Sequence, residues 1–195
     1  ARACTRLDCP LVHISTDCVF SGRKGNYQEG DPSDVDDLYG KTKSLGEVSD
    51  NHCLTIRTSL IGRELAGSYG LVEWFLHQRK SVRGFTRAIY SGFTTNAFAD
   101  VITLIVTKHP NLDGIWHVAS NPINKFELLS LVKKVYRLDT EIESDDTFVC
   151  DRSLNSDRFR RTTGQRLVDP SQTTHWKTSL RCRIHWLWRR TCLRP

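Results

Sequence analysis

Two short apolar runs, each breaking off into small polar residues, constrain this chain more than anything else in it. Leu11-Val12-His13-Ile14 leads into Ser15-Thr16-Asp17, and Cys53-Leu54-Thr55-Ile56 leads into Arg57-Thr58-Ser59. Compact apolar runs bounded in this way fit strands of a parallel sheet covered on both faces. Between them, residues 38 to 51 read as helical. Asp34, Asp36 and Asp37 lie just ahead, where carboxylates suit the helix dipole. Strand, helix, strand in that order is a βαβ unit. In open α/β sheets, ligands bind beyond the carboxyl ends of strands. Residues 15–17 and 57–59 are therefore the first candidates for a site.

The rest of the chain alternates in the same style. Residues 1 to 9 read as the end of a helix. Residues 21–34 hold Gly22, Gly25, Gly30 and Pro32 and form a loop. Helical periods run over 70–79 and 96–108, and from Asn124, a candidate cap, through Tyr136. Residues 114–118 read as a short strand and 141–143 as an edge strand. A short helix is expected within 154–164, with Asn155 as its cap and Gly164 as its stop. At 195 residues, one core with a small subdomain is the natural size.

After Gly164 the composition changes abruptly. The last 31 residues hold three of the five tryptophans and six arginines, and no Gly, Ala or Glu. Residues 1–164 are electrically neutral, so the net charge of +6 sits in this tail. A charge confined in this way does not imply a nucleic-acid-binding domain. Residues 165–195 read either as a basic aromatic tail for acidic partners or as sequence out of frame. Neither reading predicts packed structure there.

No run of eighteen apolar residues predicts a membrane span, and the N-terminus lacks the apolar core of a signal peptide. Methionine is absent, and the chain reads as one whose start has been removed. Seven cysteines at irregular spacings, with no CxxC pair, fit reduced thiols of a cytoplasmic protein better than a zinc site. His13 reads as a core residue of its strand. His109 and His117 have no partner spacing for a metal.

The chemistry lies in Tyr39 and Lys43, four residues apart and so on one helix face. A tyrosine alone is a poor proton donor at neutral pH. A neighbouring ammonium stabilises the phenolate, and the pair can then give a proton to a carbonyl oxygen or take one from an alcohol. A hydroxyl from Thr16 or Ser15 could hold the same oxygen. Hydride would have to come from a nicotinamide, since no side chain carries one.

Five stretches carry a resemblance. They are Ile14-Ser-Thr-Asp-Cys-Val-Phe-Ser-Gly22, Tyr39-Gly-Lys-Thr-Lys-Ser-Leu-Gly-Glu47, Ile56-Arg-Thr-Ser59, Phe93-Thr-Thr-Asn-Ala-Phe-Ala-Asp-Val-Ile102 and Ser153-Leu-Asn-Ser-Asp-Arg-Phe159. Together they resemble the extended short-chain dehydrogenase/reductases, most closely the dTDP-4-dehydrorhamnose reductase branch, from about residue 10 to Gly164. The fold implied is α/β, the C-terminal part of a Rossmann-type, doubly wound parallel sheet. A small mixed α/β substrate subdomain would come from segments near 60–95 and 120–160.

The function implied is NAD- or NADP-dependent reduction of a nucleotide-linked 4-keto sugar. Tyr39 would donate the proton, and Lys43 would bind the nicotinamide ribose and tune Tyr39. Thr16 would be the third catalytic hydroxyl. Arg57, Thr58 and Ser59 would lie beside the nicotinamide. Thr16, Asp17 and Leu60 would face the sugar, and Arg87 would meet a phosphate. The partners implied are the nucleotide sugar and a second copy in a homodimer, with neither membrane nor nucleic acid.

Leu60 stands where the rhamnose-forming enzymes carry an aromatic residue, which leaves the sugar open. The family also begins with a βαβ unit whose Gly-rich turn holds the cofactor pyrophosphate, and no such turn opens this chain. The chain is thus expected to keep the catalytic residues and to lack most of the cofactor cradle, as an active domain or an inactive fragment. Two other readings stay open: a sugar-nucleotide epimerase or dehydratase of the same superfamily, and a non-catalytic nucleotide-binding regulatory subunit.

Overall fold

The computed structural model describes residues 1–64, 66–67 and 69–165. From residue 166 onward, the tail lies outside the described residues. The chain opens with α1 (Arg2–Arg6), β1 (Leu11–Thr16), α2 (Leu38–Leu45), β2 (Cys53–Thr58) and β3 (Leu60–Ile61). It continues through α3 (Leu71–Leu76), β4 (Val82–Phe85), β5 (Ala88–Tyr90), β6 (Phe93–Thr94) and α4 (Thr95–Lys108). It closes with β7 (Gly114–His117), β8 (Ile123–Asn124), α5 (Lys125–Tyr136), β9 (Ile142–Asp145), β10 (Cys150–Asp151) and α6 (Asp157–Thr163).

β1, β2 and β7 form a parallel sheet with β2 in the middle, so the α/β class read from the sequence is the one observed. As the central strand, β2 is buried at all six residues. Strand alternation sends Leu54 and Ile56 to one face. There they pack with Trp116, with Phe98, Val101 and Ile105 of α4, and with Phe159 of α6. α4 starts where Thr94 Oγ1 accepts the Ala97 N–H at 3.3 Å. The other face carries Ser15, Thr55, Arg57 and His117, all buried polar residues.

A second core gathers Ile61, Val72, Phe75, Val82, Ile123, Leu128, Leu129 and Val132. Small sheets frame it: β4 beside β9, β3 beside β6, and β5 between β8 and β10. α5 is launched by Asn124, whose Oδ1 accepts the Glu127 N–H at 2.8 Å. α6 ends at Gly164 in a left-handed turn with φ of +68°. No described helix is long and apolar enough to cross a membrane.

Three boundaries depart from the sequence reading: the helix read over 70–79 ends at Leu76, the N-cap of α6 is Ser156 rather than Asn155, and the largest shift is at the end of α2. The helix expected to reach residue 51 stops at Leu45, with Gly46 as its C-cap. The side chain of Glu47 is drawn to the sheet, and Val48 pairs with Thr55. Thr55 Oγ1 donates to the Val48 carbonyl at 2.7 Å and accepts the Val48 N–H at 3.2 Å. These contacts with β2 replace the next helical turn.

Candidate active site

The carboxyl end of β1 is tightly organised. Thr16 Oγ1 donates to Asp17 Oδ1 at 3.1 Å and accepts the Cys18 N–H at 3.1 Å. That second bond caps a single 3-10 turn over Asp17–Val19. Asp17 is only 5% exposed. Burial pushes its carboxyl above the ordinary range, against the opposing pull of Thr16, Arg152, Cys18 and Ser59.

α2 crosses directly over this turn. Asp37 caps it, with Oδ1 accepting the Gly40 N–H at 2.8 Å. Gly40 faces the Cys18 carbonyl, and a Cβ there would stand 2.6 Å from Val35 Cγ2. Only glycine permits that approach. One turn on, Lys43 Nζ donates to the Ile14 carbonyl at 2.7 Å, which pins α2 to the end of β1. Tyr39 shares that side of the helix and is 57% exposed. None of the described hydrogen bonds joins its hydroxyl to Thr16 or Lys43.

Arg57 corrects the sequence reading. Its Nε and Nη2 donate to the two carboxylate oxygens of Glu47 at 2.8 and 2.7 Å. Its Nη1 donates to the Glu29 carbonyl at 3.4 Å and lies 3.3 Å from His117 Nε2. All three guanidinium nitrogens are engaged inside the protein, so Arg57 braces the fold and is not free to hold a cofactor. Ser15 Oγ adds a hydrogen bond to Glu47 Oε1 at 2.7 Å. Burial alone would raise the Glu47 carboxyl, but hydrogen bonds from Arg57 and Ser15 and the Arg57 charge hold it below the usual range. The ring of Phe20 covers the guanidinium at 5.1 Å and stacks on Tyr27 at 4.1 Å.

His117, set aside from sequence alone, completes this network. An arginine N–H can only donate, so His117 Nε2 accepts it and Nδ1–H donates to the Tyr27 carbonyl at 2.9 Å. The ring is therefore neutral, in one tautomer. Burial drives its pKa down to about 4; the Glu29 charge opposes that and the Arg57 charge reinforces it. The next two positions, the last of β2 and the first beyond it, separate in role. Among the described residues the buried Thr58 Oγ1 has no hydrogen-bond partner, and Ser59 reaches the cavity described next.

A cavity of about 430 Å³ opens between the carboxyl ends of β1 and β2 and the second core. Asp17, Ser59 and Leu60 stand on its wall, together with Tyr90, Lys125, Phe148 and Arg152. Thr16, Tyr39, Lys43 and Thr58 are not part of its lining. Arg87 is also absent, which corrects its placement at a phosphate. It is exposed in the link between β4 and β5, and its carbonyl accepts the Cys150 N–H at 3.1 Å.

Sequence reasoning missed Arg152, Lys125 and Tyr90. Arg152 Nη1 lies 3.3 Å from Cys18 Sγ, Nη2 lies 4.0 Å from Asp37 Oδ2, and Nε has no partner among the described residues. Tyr90 presents a ring to the cavity and a buried hydroxyl that has no hydrogen-bond partner among the described residues. Burial pushes that phenol further up, and the Asp17 charge adds to the effect. Its only sign in the sequence is the alternation of β5.

Comparison with known proteins follows the same lines. The RmlD substrate binding domain model matches residues 1–178. The spore coat polysaccharide biosynthesis protein SpsK of Bacillus subtilis is 32% identical over 152 residues, 73% of this chain and 52% of that protein. A hypothetical dTDP-4-dehydrorhamnose reductase from Sulfolobus tokodaii superposes with a TM-score of 0.68 at 32% identity, over 82% of this chain and 60% of that one. The dTDP-4-dehydrorhamnose reductase of Bacillus anthracis, solved with NADP, shares the fold with a TM-score of 0.70 at 21% identity, over 86% and 63% of the two chains. The chain spans about half the length of the curated relatives it matches. With its strand-end motifs, its docked α2 and this match over most of its length, the chain belongs to the RmlD substrate binding domain family, within the dTDP-4-dehydrorhamnose reductase-like extended short-chain dehydrogenase/reductases.

Proposed function

We propose that the whole protein reduces a nucleotide-linked 4-keto sugar with NAD or NADP, and that this chain supplies the proton donor and the sugar site. One observation carries the reading. Lys43 pins the Tyr39-bearing helix to the carboxyl end of β1, beside a 430 Å³ cavity whose wall holds Asp17. Tyr39 gives its proton to the carbonyl oxygen, and the Lys43 ammonium stabilises the phenolate left behind. Thr16 offers a second hydroxyl at the same strand end. The Asp17 carboxylate, a pure acceptor when ionised, accepts hydrogen bonds from hydroxyls of the sugar.

The residues present fit the nicotinamide end of such a cofactor. Thr58 Oγ1 is a buried hydroxyl without a partner among the described residues, Ser59 is its neighbour, and Lys43 spends one of its three N–H groups on Ile14. The bound cofactor supplies the hydride. Ser59 on the cavity wall would stand beside that end of the cofactor, and Asp17 and Leu60 beside the sugar.

The test is Tyr39→Phe in the whole protein, followed by loss of NADPH absorbance with a dTDP-linked 4-keto sugar. General acid catalysis is worth on the order of 10²–10⁴ in rate. We expect kcat to fall by at least about 100-fold with little change in substrate affinity. Unchanged turnover would remove Tyr39 from the chemistry. Absence of turnover in the unchanged whole protein would instead favour the non-catalytic binding subunit, a reading the 57% exposure of Tyr39 also supports.

A further inference from the structure

The cavity wall carries one cation that no described carboxylate answers and only aromatic faces touch. Lys125 is the first residue of α5, half-buried and part of the cavity lining. Its ammonium lies 5.4 Å from the ring centre of Trp74 and 5.3 Å from that of Phe85. Among the described residues it has no salt bridge and no hydrogen bond. Burial alone acts on its pKa, pushing it down, with no carboxylate opposing.

Its position makes matters worse for the fold. The first turn of a helix is the positive end of the dipole, where cations are disfavoured and anions welcome. A half-buried cation at that end without a carboxylate costs stability that the Trp74 and Phe85 ring faces only partly offset. It works for any anion that enters the cavity. The surroundings suit an anion joined to a flat ring. Phe148 is 50% exposed on the same wall, 5.1 Å from Phe85, and Arg152 stands there with its Nε unpartnered among the described residues.

We propose that Lys125 holds the diphosphate of the ligand, a role the sequence had suggested for Arg87. The proposal rests on the nucleotide-sugar reading of this cavity. Lys125 neutralises the diphosphate, the aromatic pair beside it keeps the ammonium partly dry, and the sugar then extends toward Asp17.

Lys125→Met separates ligand binding from folding, because it keeps the volume and removes the charge. Without ligand, its melting temperature should equal or exceed that of the unchanged protein. A clear fall would show that Lys125 serves the fold, and would overturn the assignment. With dTDP or dTDP-rhamnose titrated calorimetrically, affinity should drop at least about tenfold, a charge-assisted hydrogen bond being worth that much. Its dependence on added NaCl should also flatten, and Lys125→Arg should restore most of the loss. Equal dTDP affinity in Lys125→Met and the unchanged protein sinks the role of Lys125 alone. Failure of the unchanged protein to bind either ligand overturns the nucleotide-sugar reading, and this inference with it.

Discussion

Acid should unfold this protein largely through one buried imidazole. His117 is fully buried, and its pKa falls from the ordinary 6.5 to about 4. Between those values the unfolded chain binds a proton that the folded chain refuses, so stability falls as pH falls through that window. Each pH unit separating the folded and unfolded values is worth about 1.4 kcal/mol. Lowering the pH from about 7 to about 4 should therefore remove roughly 3 kcal/mol through this group alone. That is a large fraction of the roughly 5–15 kcal/mol typical of a domain. The local reason is geometric. Protonation would set an N–H at Nε2 against Arg57 Nη1, 3.3 Å away, in a pocket closed by Phe20 and Tyr27. His117→Asn isolates the contribution. Its amide can still donate to the Tyr27 carbonyl but cannot titrate. Urea unfolding at constant ionic strength, from about pH 7 down to pH 4, should show the unchanged protein losing roughly 3 kcal/mol more than the variant. The two absolute stabilities will differ at every pH, so the comparison is between slopes. Parallel slopes would refute the claim that His117 is held neutral in the fold.

Two further outcomes concern the sheet's polar face and the helix docked beside it, each with its control. Glu47→Ala leaves Arg57 buried without its carboxylate and should cost about 3–5 kcal/mol in urea unfolding. By contrast Asp36→Ala, which removes an ion pair to Arg23 with side chains 83% and 76% exposed, should change stability by well under about 1 kcal/mol. Gly40→Ala forces α2 off the Cys18 carbonyl and Val35. We expect a loss of about 1–3 kcal/mol together with reduced turnover in the whole protein, because Lys43 travels with the helix. Gly30→Ala, with nothing within 4 Å of the new Cβ, should leave melting temperature and turnover alone.

The two strands and the helix between them were legible because their signals are local. Apolar runs ending in polar residues need only a few positions to declare themselves, and Tyr39 and Lys43 share a helix face by spacing alone. Asn124 and Gly164 mark a helix start and a helix stop by the same local chemistry. The end of α2 was not legible. Nothing within 38–51 reveals that Glu47 will be claimed by Arg57 and Ser15, which reach it only once β1 and β2 are in register. His117 was hidden for the same reason. Its partners are Arg57, Tyr27 and Glu29, as many as 90 residues away, and no spacing rule joins them. The cavity is the extreme case. Its wall is assembled from residues as far apart as Asp17 and Arg152, so Lys125 and Arg152 could not be told from surface cations in sequence.

The motif and the buried network are one device. α2 and the residues just past its end are tied to two consecutive residues of β1: Lys43 to the Ile14 carbonyl and, four positions on, Glu47 to the Ser15 hydroxyl. The first tie belongs to the proposed chemistry, and the second belongs to the Arg57–His117 network. Because they grip neighbouring residues of one strand, the helix cannot slide or rotate without breaking both. The acid loss expected of His117 should therefore be felt at Lys43 before the protein unfolds. A charge on His117 repels Arg57, Arg57 loosens Glu47, and Glu47 frees the end of the helix that carries Lys43. The protection factors of α2 amides, with the pH dependence of intrinsic exchange divided out, would then fall between about pH 6 and pH 4 in the unchanged protein, ahead of global unfolding, and would not do so in His117→Asn. Simultaneous exchange of α2 and the β2 amides at every pH would show instead that the network guards the whole fold and has no particular hold on the helix.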